Sequence, residues 1–287
     1  IAMSKARVVI AEINTNVPWV YQDVPFDEEL VTLAIESDDP VAPYEPVRPG
    51  AVETQIARNI AGRIEDGATI QYGIGGIPPA VFEALEGHRD LGLHSGLVSD
   101  EAIALIQAGV ITNARKPIHK GKSIGALAFG GEKFKNFAHV NPHFEMHQST
   151  STHGAATLSQ ITNLVSINSA LEVDLFGQVN AEQIGTKYLG AIGGQIDFMH
   201  AASTHQGGLS IIAMPASLGK SGRGRITDKL AGPLVTTARA DVDLVITEFG
   251  IADLRGKTLD GRAHALIEVA LPEHRDRLLA SWKGLAV

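Results

Sequence analysis

The sequence predicts an α/β fold: an open, mostly parallel sheet flanked by helices. Strand-like apolar runs alternate with helix-like segments, and glycine-rich turns stand where strands give way to helices. The 287 residues, 44% hydrophobic, suffice for a large core or two domains. In open parallel sheets, ligands collect beyond the carboxyl ends of the strands.

Residues 7–14 (Arg7-Val8-Val9-Ile10-Ala11-Glu12-Ile13-Asn14) read as a buried strand. Beyond them Pro40, Pro43, Pro46 and Pro49 recur every third residue up to Gly50, as in an extended, polyproline-like crossing between domains. The boundary is placed near Glu45, dividing 1–45 from 46–287. Val52, Ile56, Ile60 and Ile64 form the buried stripe of a helix that ends at Gly67. Residues 68–72 make a short strand, followed by Gly73-Ile74-Gly75-Gly76-Ile77-Pro78-Pro79 and a helix over 80–85. Residues 91–94 and 99–108 repeat strand, turn and helix, with Ser99 as N-cap and Asp100 and Glu101 in the first turn. Further strands are expected at 209–214 and 242–247, the latter leading through Glu248-Phe249-Gly250 into a turn and the C-terminal helices. No internal repeat or low-complexity tract stands out.

Composition removes several functions. The absence of cysteine excludes disulfides, thiolate metal sites and cysteine nucleophiles, and fits a reducing cytoplasm. A net charge of −8, with no basic run longer than two residues, argues against a nucleic-acid surface. No stretch approaches the ~18 consecutive apolar residues of a membrane span, so no membrane is expected. Ile1 cannot be an initiator, and a strand-like run follows closely, so a piece of a longer chain is expected.

The run at 164–177 holds the most informative residue, Glu172. Read as one strand, it puts Val165, Ile167, Leu171, Val173 and Leu175 on one face and Ser166, Asn168, Glu172 and Asp174 on the other. A carboxylate fixed there beside the Asn168 amide can act as nucleophile or base; otherwise the polar face simply meets water. At Gly73, Gly75 and Gly76 backbone N–H groups can approach an oxyanion or phosphate, or merely make a tight turn. Gly193 and Gly194 could form an oxyanion hole. Lys220, Arg223 and Arg225 make the loop at 217–225 a candidate phosphate contact or a solvated loop. His94 ends a strand, as a substrate contact or a structural histidine. His139, His143 and His147 invite a zinc reading, but Asn141-Pro142 breaks the helical register that would align them, and no metal is expected. GxSxG, HExxH and Walker A loops are missing, which leaves carboxylate chemistry.

Several of these segments, in order, resemble the acetyl-CoA hydrolase/transferase family, most closely its 4-hydroxybutyrate CoA-transferase-like branch. They include Gln71-Tyr72-Gly73-Ile74-Gly75-Gly76-Ile77-Pro78, Asn168-Ser169-Ala170-Leu171-Glu172-Val173-Asp174, Gly193-Gly194-Gln195-Ile196-Asp197-Phe198 and Thr247-Glu248-Phe249-Gly250-Ile251-Ala252-Asp253-Leu254-Arg255-Gly256. The resemblance implies a sheet of the CoA-transferase (NagB/RpiA-like) type. It makes 1–45 the remnant of an N-terminal domain plus its crossover, and 46–287 the C-terminal catalytic domain. It implies Glu172 as a nucleophile that carries CoA as a glutamyl thioester, with Gly193, Gly194 and Gln195 near CoA and Gly250 bringing amides to the reacting carbonyl. Coenzyme A is then a substrate and no cofactor is tightly bound. The implied partners are an acyl-CoA, a small carboxylate (acetate, propionate, butyrate, 4-hydroxybutyrate or succinate), the missing N-terminal domain and further copies of the chain. The rivals are an acyl-CoA hydrolase using the same glutamate, a sugar-phosphate isomerase with Glu172 as general base, and a non-catalytic CoA-binding module.

Overall fold

Strands that alternate with helices pack both of their faces, and the apolar runs of this chain do so in a computed structural model that describes residues 2–41, 48–219 and 222–285. In chain order the elements begin with β1 (Ile10–Asn14), β2 (Tyr21–Gln22) and β3 (Leu33–Ser37). Then come α1 (Ala51–Ala61), β4 (Thr69–Tyr72), α2 (Ile77–Ala84), β5 (Gly92–Ser99), α3 (Asp100–Gln107), β6 (Ser123–Phe129), α4 (Glu132–Ala138) and β7 (Phe144–Met146). Next are α5 (Ser149–Thr152), α6 (Ala155–Leu158), β8 (Leu164–Asn168), β9 (Glu172–Asp174), β10 (Val179–Asn180), β11 (Gln183–Ile184), β12 (Lys187–Tyr188) and α7 (Gln195–Thr204). The chain closes with β13 (Leu209–Ala213), β14 (Ile226–Thr227), β15 (Leu244–Thr247), β16 (Gly250–Asp253), α8 (Leu259–Glu268) and α9 (Arg275–Gly284).

Among the described residues, nine strands form one sheet in the order β16-β15-β13-β8-β4-β5-β6-β7-β2, parallel throughout except for the β15–β16 pair. The expected α/β fold is therefore present. The period-2 rule sorts its side chains: Ile211, Leu244 and Ile246 join the core beneath α1, α2 and α3, while Ile212 and Val245 join the one beneath α7, α8 and α9. Strands buried on both faces read as continuous apolar runs, which is why β13 and β15 were legible. No helix among the described residues is long and apolar enough to cross a membrane.

Several expectations need correction. The run at 7–14 is not buried: among the described residues β1 pairs only with β3, and Ile10 and Ile13 are 60% and 57% exposed. Apolar periodicity reports that a strand needs cover, not that the cover lies within this stretch. The first helix ends at Ala61 with Gly62 as C-cap, short of Gly67, and Val52 is exposed. Ser99 takes the N-cap position without capping; its hydroxyl lies 3.1 Å from the Tyr72 hydroxyl. Gly250 opens an antiparallel edge strand rather than a turn, with φ at +144°, a conformation that suits glycine. Glu45, Pro43 and Pro46 lie outside the described residues. Tyr21 and Gln22, within 1–45, pair with β7 at the edge of the main sheet.

Candidate active site

The run at 164–177 is two strands, not one. β8 lies in the large sheet; the chain then bends through Ser169-Ala170-Leu171, and β9 joins a separate sheet between β10 and β14. The common polar face therefore does not exist as read. The solvated alternative fails as well, because Ser166, Asn168, Glu172 and Asp174 are all buried.

Asp174 builds the turn after β9: its carboxylate accepts from the backbone N–H of Phe176 and Gln178 at 3.0 and 2.9 Å, and Gly177 reverses the chain at φ +89°. That hairpin puts Asn180 directly opposite Glu172. Asn180 Nδ2 donates to Glu172 Oε1 at 3.0 Å, and the Ala231 backbone N–H donates to the same oxygen at 2.9 Å. On the other oxygen, Arg223 Nη2 stands 3.3 Å from Oε2. Glu172 is 4% exposed, whereas the Arg223 side chain is 42% exposed. The carboxylate is thus held by two fixed neutral donors on one oxygen and a releasable cation on the other.

Asn168, expected beside Glu172, is engaged elsewhere. Its Nδ2 donates to Gln71 Oε1 at 3.0 Å and to Ser166 Oγ at 2.9 Å, and Ser166 Oγ donates to Gln71 Oε1 at 2.6 Å. Asn180 was the residue missed. The signal for it was the Asp174–Gly177 turn, which fixes the hairpin register once β9 is recognised as short.

Six of the expected residues do come together. Gly73, Asn168, Gly193, Gly194, Gln195 and Arg225 line a cleft of about 740 Å³ beyond the carboxyl ends of β4 and β8. Leu171 lines both that cleft and the water-sized recess that holds Glu172 and Arg223. Gly194 caps α7, whose N-terminal N–H groups open toward the cleft. His153, which sequence reading also missed, is sandwiched there. A Cβ on Gly96 would lie 2.8 Å from its ring, and one on Gly194 would collide with it. Burial pushes the His153 pKa down, with Asp197 opposing. Arg225 donates to the Ala170 carbonyl at 3.1 Å, its Nε is buried without a partner, and burial pulls its guanidinium below the ordinary range.

The remaining candidates stand apart. Gly75, Gly76 and Gly250 do not line the cleft, and Lys220 lies outside the described residues. His94 is fully buried; its Nε2 bonds the Thr152 carbonyl at 2.9 Å, and burial, followed by the Lys116 cation, holds its pKa down at about 3. Of His139, His143 and His147, only the last belongs to a tight group of potential ligands, and its companions are His119 and Glu145.

Comparison with known proteins gives these residues a context. The model of the acetyl-CoA hydrolase/transferase C-terminal domain matches residues 130–282. The chain is 41% identical over 283 residues to the 4-hydroxybutyrate coenzyme A transferase of Clostridium kluyveri, covering 98% of this chain and 66% of that protein. The structure of a 4-hydroxybutyrate CoA-transferase from Porphyromonas gingivalis superposes with a TM-score of 0.86 at 36% identity, over 99% of this chain and 68% of that one. RipA from Yersinia pestis superposes with a TM-score of 0.91 at 33% identity, over 99% and 64%. The chain thus spans about two thirds of the length of these relatives.

Proposed function

This chain belongs to the acetyl-CoA hydrolase/transferase family, and from that premise we propose that it is the catalytic part of an enzyme that moves CoA between an acyl-CoA and a small carboxylate. Glu172 is the nucleophile. The observation that carries the reading is a buried carboxylate, within the matched region, with fixed donors on one oxygen and an exposed arginine on the other.

Arg223 swings aside and Glu172 Oε2 attacks the thioester carbonyl. The C–S bond breaks, leaving an acyl-glutamyl anhydride and CoA thiolate. The thiolate attacks the glutamyl carbonyl, forming glutamyl-CoA and releasing the first carboxylate. The incoming carboxylate attacks glutamyl-CoA, expelling thiolate and making a second anhydride. Thiolate then attacks the acyl carbon of that anhydride, giving the new acyl-CoA and free Glu172. Asn180 and the Ala231 N–H hold the spectator oxygen throughout. The α7 N-terminus at Gly193–Gly194 faces developing negative charge, and Arg225 receives anionic parts of CoA. 4-Hydroxybutyrate is the acceptor proposed first, from the names of the relatives, with acetate and butyrate next as small carboxylates of the same class. A preceding domain of the same protein walls the other side of the cleft.

The test is an intact-mass measurement after incubation with acetyl-CoA, followed by borohydride reduction and peptide mapping. A CoA-sized adduct reduced at residue 172 is expected. Labelling at another carboxylate overturns the assignment, and rapid CoA release without any acceptor identifies a hydrolase instead.

A further inference from the structure

A second cluster lies away from Glu172, where β5, β6 and β7 run side by side. His94 on β5 is in register with Ile124 on β6, and Ile124 with Glu145 on β7. His147 follows two residues after Glu145, its backbone N–H held by the Gly125 carbonyl at 2.7 Å. The turn before β6 brings up His119, at φ +50°. One ring nitrogen each of His119 and His147 and one carboxylate oxygen of Glu145 all lie within 4.8 Å of one another. The His119 and His147 ring centroids are 4.9 Å apart, with His94 flanking His119 at 6.3 Å.

An independent observation points to a ligand. His147 is 5% exposed and its Nε2 bonds Glu145 Oε2 at 2.9 Å, but its Nδ1 is buried without a hydrogen-bond partner; the Asp23 carboxylate stands 3.9 Å off. His94 repeats the pattern, with one nitrogen on the Thr152 carbonyl and the other, Nδ1, buried and bare. In His147 the two nitrogens are distinct: Nε2 is on Glu145 within the cluster, and Nδ1 looks to the Asp23 carboxylate, the kind of outer-shell partner that orients a metal-ligating histidine.

We propose that His119, Glu145 and His147 bind a divalent transition-metal ion of the zinc class. Two imidazoles and a carboxylate are a donor set that zinc favours, without any thiolate. Ligand atoms about 2.0–2.2 Å from zinc stand roughly 3.4 Å apart, so closure of the trio requires a shift of about 1 Å by partly exposed His119. Lys122, whose ammonium pairs with Glu145, is the competing cation; its side chain is 43% exposed and can leave for water. The neighbouring Lys116 ammonium points elsewhere, donating to the Leu93 and Lys122 carbonyls at 2.9 and 2.7 Å. Bound metal would tie β7 to the turn at 119 and steady the segment that carries His153 to the cleft. Its role is structural, since none of the three ligands lines that cleft.

The test treats the purified full-length protein with chelator, adds Zn²⁺ or Co²⁺, and measures retained metal and the visible Co²⁺ spectrum. Near-stoichiometric zinc and a low-symmetry Co²⁺ spectrum are expected, with affinity about 100-fold or more weaker in His119→Ala. His147→Gln should behave likewise if it folds, while His119→Ala removes a partly exposed side chain and keeps the test valid. His139→Ala and His143→Ala should bind as the parent does, and Lys122→Met should bind more tightly. Only millimolar binding, or unchanged binding in His119→Ala, overturns the proposal.

Discussion

Glu172 and Glu182 are both 4% exposed, and both depend on Asn180, yet they are held in opposite ways. Glu182 accepts from the Thr236 and Tyr188 hydroxyls at 2.8 and 2.9 Å, and its backbone N–H donates to Asn180 Oδ1 at 3.0 Å. Glu172 shares one oxygen between Asn180 and a backbone amide, and gives the other to an exposed arginine. Burial alone therefore does not mark a reactive carboxylate. What distinguishes Glu172 is the partner of its second oxygen: an arginine cation, where Glu182 has the neutral Tyr188 hydroxyl.

The sharpest way to break this comparison is Glu172→Gln. Acyl transfer should fall by about 10³-fold or more in steady-state assays, because an amide cannot form the anhydride. Unfolding free energy should fall by about 1–3 kcal/mol, since the amide oxygen still accepts from Asn180 and the Ala231 N–H but the buried NH2 then faces the Arg223 guanidinium. Residual transfer near the parent rate would remove Glu172 from the chemistry. Asn180→Ala comes next, because it touches both carboxylates. It should cost about 1–3 kcal/mol in denaturant unfolding, from buried partners left unmet, and also slow turnover. Glu182→Gln should cost a similar or smaller amount of stability and leave transfer within about 10-fold, since its partners are hydroxyls fixed by the fold. A loss of transfer equal to that of Glu172→Gln would erase the distinction drawn here.

The smallest effect expected is from Tyr188→Phe. The hydrogen bond to Glu182 raises the Tyr188 phenol pKa above its ordinary 10.0. A raised folded pKa gives stability that is present below the unfolded value and lost as pH climbs through the folded one. The variant should therefore be slightly less stable than the parent at neutral pH, with the gap closing above pH 10.0, as followed by thermal unfolding.

The parallel sheet was legible because β13 and β15 are largely apolar on both faces and alternate with helical segments, as strands buried between helix layers do. The sequence singled out Glu172 by its company, but not the side chains that surround it in the fold. A side-chain period of 2 assumes a straight strand, and the bend at Ser169–Leu171 sends Asn168 to Gln71 while the hairpin delivers Asn180. The exposed side chains of β1 and the trio of His119, Glu145 and His147 were out of reach for a related reason. Both depend on which segments meet in space, and His119 stands 28 residues from His147 along the chain.

Leu171 carries a last consequence. Its backbone N–H is pinned by the Asn180 carbonyl at 2.8 Å, and the residue borders both the cleft and the Glu172 recess. If the acyl group approaches from the cleft, a rotamer change at this one leucine would decide when the two compartments become one. Commitment of the substrate would then cost a single side-chain rotation, with no rearrangement of the sheet.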